Sequence, residues 1–135
     1  MLNILIVEDE ADVAQTLREL VEFDDRGHVV AVAQELNGAL AAADEHRVDV
    51  ALIDIHLADL STGYGVASEL SGRGIRCIFV TGSEPPFPMP ELALGCIAKP
   101  CTVEAVQSAL DAAAASIAAD DQRAAGQGGS GFTVY

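Results

Sequence analysis

The chain has 135 residues, with 7 Lys and Arg against 21 Asp and Glu, a formal net charge of −14. That balance argues against direct nucleic-acid binding and against docking on an anionic membrane, because little in it neutralises phosphates. The length fits one domain with one core, and 50% hydrophobic residues are enough to build it. Six of the seven basic residues are arginine; the sole lysine is Lys99.

Residues 4–7 (ILIV) form a short apolar run rich in β-branched residues, read as a strand buried on both faces. Val13, Leu17, Leu20 and Val21 then fall on one helical stripe, with acids from Asp9 to Asp12 at its positive end. The segment 24–27 (DDRG) ends that helix. Residues 28–33 (HVVAVA) predict a second strand, 37–45 an alanine-rich helix, and 49–53 (DVALI) a third strand ending on Asp54. A helix over 62–70 and a fourth strand over 75–80 ending on Thr81 follow.

Pro85, Pro86, Pro88 and Pro90 then fall within six residues. Each removes a donor and restricts its predecessor, so no helix is expected through them and 91–94 holds one turn at most. Residues 95–98 predict a fifth strand running into Lys99-Pro100. Thr102 is a good N-cap for a last helix with Val106, Ala109, Leu110, Ala113 and Ile117 on one face. The predicted domain is 1–119. Residues 120–135 read as a flexible tail, although Phe132 to Tyr135 has strand character that could dock.

Strands alternating with helices predict an α/β fold with an open five-stranded parallel sheet and right-handed crossovers. Functional groups of such sheets sit at the carboxyl ends of the strands. Those ends carry Glu8-Asp9, Asp54, Thr81 and Lys99. Any one of them reads equally well as ordinary loop polarity; the set together does not. Three clustered carboxylates repel one another unless a cation lies between them, and Mg²⁺ is the hard cation that prefers such oxygen ligands. A carboxylate nucleophile, a hydroxyl and an ammonium are the parts needed to take a phosphoryl group onto Asp54.

The ordered set of residues 5–10 (LIVEDE), 53–57 (IDIHL), 80–82 (VTG) and 98–100 (AKP) resembles the receiver domain of two-component response regulators, over about residues 2–118. The resemblance implies a flavodoxin-like sheet of order 2-1-3-4-5. It implies Asp54 as phosphoacceptor, Asp9 binding Mg²⁺ directly and Glu8 mainly through water, and a metal contact from the His56 backbone carbonyl. Thr81 and Lys99 would contact the phosphoryl group, Lys99-Pro100 would be cis, and His56 and Ser83 would tune the lifetime of the phosphorylated state. The implied partners are a sensor histidine kinase or histidine phosphotransfer protein and a downstream protein. Self-phosphotransfer and autodephosphorylation would be the only chemistry, in the cytoplasm. With no DNA-binding output domain expected, signalling would run through protein contact; dimerisation stays open. Residues 79–82 (FVTG) also partly match a run found in a subset of single-domain receivers.

Two departures stand out. The position of the family's switching aromatic on the fifth strand holds Cys96, read as core filling ahead of any redox role. The 17 residues from 82 to 98 are short for a fourth helix, which is expected to be missing or reduced to a turn. A third, milder departure is Ala58 and a longer loop over 58–65. A receiver-like adaptor that acts without phosphate is the alternative. A flavin protein or phosphohydrolase fits less well, since no P-loop is present and His56 stands where a hydrolase would want a second acid. His28 and His46 read as structural, Tyr64 as a loop anchor. The three cysteines, Cys77, Cys96 and Cys101, read as reduced thiols, not zinc ligands.

Overall fold

A computed structural model of the chain describes residues 1–23, 25–56, 63–82, 90–119 and 132–135. Its elements are β1 (Leu2–Val7), α1 (Ala11–Val21), β2 (Gly27–Ala33), α2 (Leu36–Glu45), β3 (Val50–Asp54), α3 (Gly63–Ser71), β4 (Arg76–Thr81), β5 (Gly95–Ala98), α4 (Val103–Ala119) and β6 (Phe132–Val134). The sheet order is β2-β1-β3-β4-β5-β6. The first five strands run parallel in the predicted order; β1, β3 and β4 are covered on both faces, which is why they read as continuous apolar runs, whereas β2 at the sheet edge leaves His28 and Val32 exposed.

Alternation along β1 splits the core into two layers. Ile4 and Ile6 face α1 and α4, meeting Leu17, Val21, Val106 and Leu110. Leu5 and Val7 face α2 and α3, meeting Ala39, Ala42, Val66 and Leu70. Alanines on α2 and α4 let these helices lie close to the sheet. The Thr102 hydroxyl accepts the Ala105 N–H at 3.1 Å and caps α4 as expected. Tyr64, expected in a loop, lies in the first turn of α3.

Two further results bear on the expectations. Between β4 and β5 the described residues 90–94 form turns without a helix, while Ser83, Pro85, Pro86 and Pro88 lie outside the described residues, as do the 58–62 part of the Ala58 loop and residues 120–131. The end of the chain adds a strand to the expected five-stranded sheet, so that residues 132–134 of the expected 120–135 tail belong to the sheet. Phe132–Val134 is a sixth strand, antiparallel to β5, with Gly95 opposite Val134, Cys96 opposite Thr133 and Ile97 opposite Phe132. The strand character read at Phe132 to Tyr135 is realised there, docked on β5. Phe132 is 2% exposed and sits in the α1/α4 layer of the core.

Candidate functional site

The site forms because β1, β3, β4 and β5 all stop at the same rim. β1 delivers Glu8 and Asp9, and the Glu8 N–H donates to the Ala33 carbonyl at 2.9 Å, holding the strand end in place. β3 ends on Asp54. Its neighbour in β4 is Val80, so Thr81 follows at the rim. The Lys99 N–H donates to the Thr81 carbonyl at 2.9 Å, continuing the ladder one residue past β5. The Lys99–Pro100 peptide is cis, as expected.

Carboxylate oxygens of Glu8, Asp9 and Asp54 lie within 4.8 Å of one another. Lys99 reaches in from the side, its Nζ 3.3 Å from Glu8 Oε1 and 3.6 Å from Asp54 Oδ2. Backbone donors fix the two buried acids. The Glu10 N–H donates to Glu8 Oε2 at 3.2 Å, and the His56 N–H donates to Asp54 Oδ1 at 3.1 Å. Glu8, Asp54 and Thr81 are buried, Asp9 and Lys99 are half-buried, and the His56 residue is exposed.

Burial is the main force on Glu8 and pushes its carboxyl up from 4.5 to about 7; the Glu10 N–H opposes this, and Asp54 adds to it. Burial works against the Lys99 ammonium, but Asp54 and Glu8 outweigh it and hold the lysine above its usual value. Among the described residues, the rim therefore carries more negative charge than Lys99 balances. An all-oxygen donor set of three close carboxylates, with burial disfavouring the charge on one of them, fits a hard divalent cation such as Mg²⁺ better than a softer metal.

Glu8, Asp9, Asp54 and Lys99 are thus brought together, with Thr81 and the His56 backbone at the same rim. Ser83 lies outside the described residues. His28 and His46 are exposed and away from the rim. Two contributors escaped the sequence reading. Glu10 acts through its backbone N–H. Gly63 begins α3 against the end of β3, its N–H donating to the Ile55 carbonyl at 2.8 Å. A Cβ there would stand 2.3 Å from the Asp54 carbonyl oxygen and 2.7 Å from Ile55 Cα. The only sequence signal for it was a glycine pair flanking Tyr64.

The chain matches the model of the response regulator receiver domain over residues 4–111 and belongs to that family. It is 38% identical over 72 residues to the transcriptional regulatory protein KdpE of Mycobacterium tuberculosis. That match covers 53% of this chain and 30% of KdpE, so the chain corresponds to under a third of that relative. Among solved structures it resembles the signal receiver domain of a modulated diguanylate cyclase from Desulfovibrio desulfuricans G20, at 29% identity and a TM-score of 0.74, covering 84% of this chain and 93% of that one. It also resembles the response regulator PhyR from Brucella abortus, at 28% identity and a TM-score of 0.71, covering 88% of this chain and 52% of that one. Among the described residues no helix is long and apolar enough to cross a membrane.

Proposed function

We propose that this receiver domain accepts a phosphoryl group onto Asp54 from a phosphohistidine of a sensor kinase or phosphotransfer protein in the cytoplasm, and signals by protein contact. The observation that carries this reading is the pairing of Lys99 with both Glu8 and Asp54 inside a three-carboxylate cluster. An Asp54 oxygen attacks phosphorus, the phosphorus–nitrogen bond to the donor imidazole breaks, and its electron pair returns to the ring. Lys99 then pairs with a phosphoryl oxygen, and the Thr81 hydroxyl donates to another. Glu8, Asp9, Asp54 and the His56 carbonyl would hold Mg²⁺, which supplies charge neutralisation at the transferring group. Hydrolysis of the acyl phosphate returns Asp54, at a rate that His56 and Ser83 tune. No other substrate is turned over.

Intact mass after incubation with Mg²⁺ and acetyl phosphate tests the reading. One phosphate is expected on the wild type and none on Asp54→Ala; an adduct that persists in Asp54→Ala contradicts it.

One observation favours a second reading, an adaptor that works without phosphate. Cys96 is buried at the family's aromatic position, and a thiol cannot repeat a ring swing. No adduct and no Mg²⁺-dependent response to beryllofluoride would select that reading.

A further inference from the structure

A cleft of about 280 Å³ opens at the end of the sheet opposite the rim. Arg76 begins β4 and Thr81 ends it, so the cleft lies roughly 17 Å along that strand from the site. Its walls are the turns over 90–94, the loop between α3 and β4, and Ser116 in the last turn of α4. Pro90, Leu92 and Leu94 make one wall apolar. The Leu94 N–H donates to the Cys77 carbonyl at 2.9 Å, which holds that wall against β4. The volume is close to the lower end of the range for ligand pockets, which suits a small molecule.

The polar end of the cleft is a guanidinium. Arg26, Arg47 and Arg73 each pair with a carboxylate; among the described residues Arg76 pairs with none. Its Nε–H donates to Ser116 Oγ at 3.3 Å, Nη1 to the Gly74 carbonyl at 3.2 Å and Nη2 to the Ser116 carbonyl at 3.4 Å. All three acceptors are neutral, and the end of α4 adds only partial negative charge. These bonds fix the plane of the group and leave one N–H on each of Nη1 and Nη2. Ser116 Oγ accepts from Arg76, so its O–H is left to donate. Ser71 Oγ, also on the wall, gives its hydrogen to the Ser68 carbonyl at 3.3 Å and adds no donor. Three donors and one positive charge thus line one end of a cleft whose other wall is apolar.

We propose that this cleft binds a small organic monocarboxylate, its carboxylate bridging Nη1 and Nη2 of Arg76 and taking the Ser116 O–H, its apolar body lying against Pro90, Leu92 and Leu94. A planar two-oxygen anion matches the guanidinium fork. A phosphate dianion fits less well, because one cation cannot balance it. Glu91, on the same cleft, also opposes a dianion twice as strongly as a monoanion. The proposal goes beyond phosphoryl transfer and does not depend on it.

The test titrates the ¹⁵N-labelled full-length chain with sodium benzoate, and separately with inorganic phosphate, at constant ionic strength, followed by two-dimensional NMR. Benzoate is expected to give saturable shifts at the amides of 74–77 and 91–94 and at the Arg76 Nε–H, with a dissociation constant on the order of 1 mM. Arg76→Gln weakens binding about tenfold, and Arg76→Lys, which keeps the charge without the fork, recovers only part of it. Ser116→Ala weakens it about threefold and, as a helix-favouring change, keeps the test valid should the Arg76 variants fold poorly. Asp54→Ala binds benzoate like the wild type. Absence of saturable shifts at about 20 mM benzoate overturns the proposal, as do shifts that survive both Arg76→Gln and Ser116→Ala. Phosphate binding as tight as benzoate overturns the ligand class, and loss of benzoate binding in Asp54→Ala places the effect at the rim and overturns the site.

Discussion

The rim that carries Asp54 and the edge that carries β6 are built on opposite principles. At the rim, four strands that pack independently of the rim side chains bring charges together that would otherwise repel. Cohesion comes from the core, and the charged groups add strain to it. At the edge, the strand that docks is the source of its own cohesion: Phe132, Tyr135 and three ladder pairs hold it. Damage to the rim's support should therefore spread, whereas damage at the edge should stay local.

Two glycines offer the sharpest break of that comparison, since both lie in close backbone contact. Gly63→Ala forces a Cβ against the Asp54 carbonyl and Ile55 Cα, which belong to the centre of the sheet. A loss of about 3 kcal/mol or more is expected in denaturant unfolding, together with loss of phosphate uptake. The nearest atoms to a Cβ at Gly95→Ala belong to β6, which can let go. Its cost cannot exceed the docking energy of that strand, about 1–3 kcal/mol, and phosphate uptake should stay within twofold of the wild type. Equal damage from the two would erase the distinction.

Phe132→Ala obeys the same ceiling. A buried Phe→Ala change in a closed core costs about 3–5 kcal/mol. Here release of β6 caps the loss at about 1–3 kcal/mol, with hydrogen exchange increased in β5 and β6 and unchanged in β1 and β3. A full core-sized loss would show that β6 is an integral part of the fold.

Relief of charge at the rim should stabilise. Asp54→Asn keeps an acceptor for the His56 N–H but removes one of three close carboxylates. In Mg²⁺-free buffer Tm should rise by about 4 °C. A fall would mean that the Lys99–Asp54 pair outweighs the repulsion. Glu8 gives the pH counterpart. Its carboxyl is raised, chiefly by burial, to about 7, so the folded protein keeps a proton that the unfolded chain releases near 4.5. That contribution to stability is present below pH 4.5 and is lost as pH rises towards 7 without Mg²⁺. Glu8→Gln should flatten the wild-type slope across this window in thermal melts at several pH values.

The smallest effect concerns the thiols. Burial pushes the Cys77 thiol up to about 12 and also raises Cys101, which is only half-buried. Fewer thiolates mean slower alkylation. Iodoacetamide at neutral pH should label Cys101 first, and Cys77 and Cys96 only on unfolding; prompt labelling of Cys96 would reveal a loose β5 edge.

The rim was legible in the sequence because its residues sit at strand ends, and strand ends follow from apolar runs such as residues 4–7 and 75–80. The sole lysine strengthened that reading, since Lys99 directly follows β5, beside Pro100. The helix boundaries came within a residue or two for the same reason, hydrophobic period. Gly63 and Glu10 were not legible, because each acts through its backbone. The strand character of Phe132 to Tyr135 was legible, but its place beside β5 was not, because its partner in β5 lies 35 or more positions earlier and periodicity cannot report pairing over such a distance.

The central claim is that Asp54 takes the phosphoryl group, and borohydride trapping tests it most directly. Protein incubated with Mg²⁺ and acetyl phosphate is treated with borohydride, which reduces an aspartyl phosphate to homoserine, then digested and sequenced by tandem mass spectrometry. Homoserine at position 54 alone, dependent on both Mg²⁺ and phosphodonor, is the expected result. Unmodified Asp54, or homoserine at another of the acids, would contradict it.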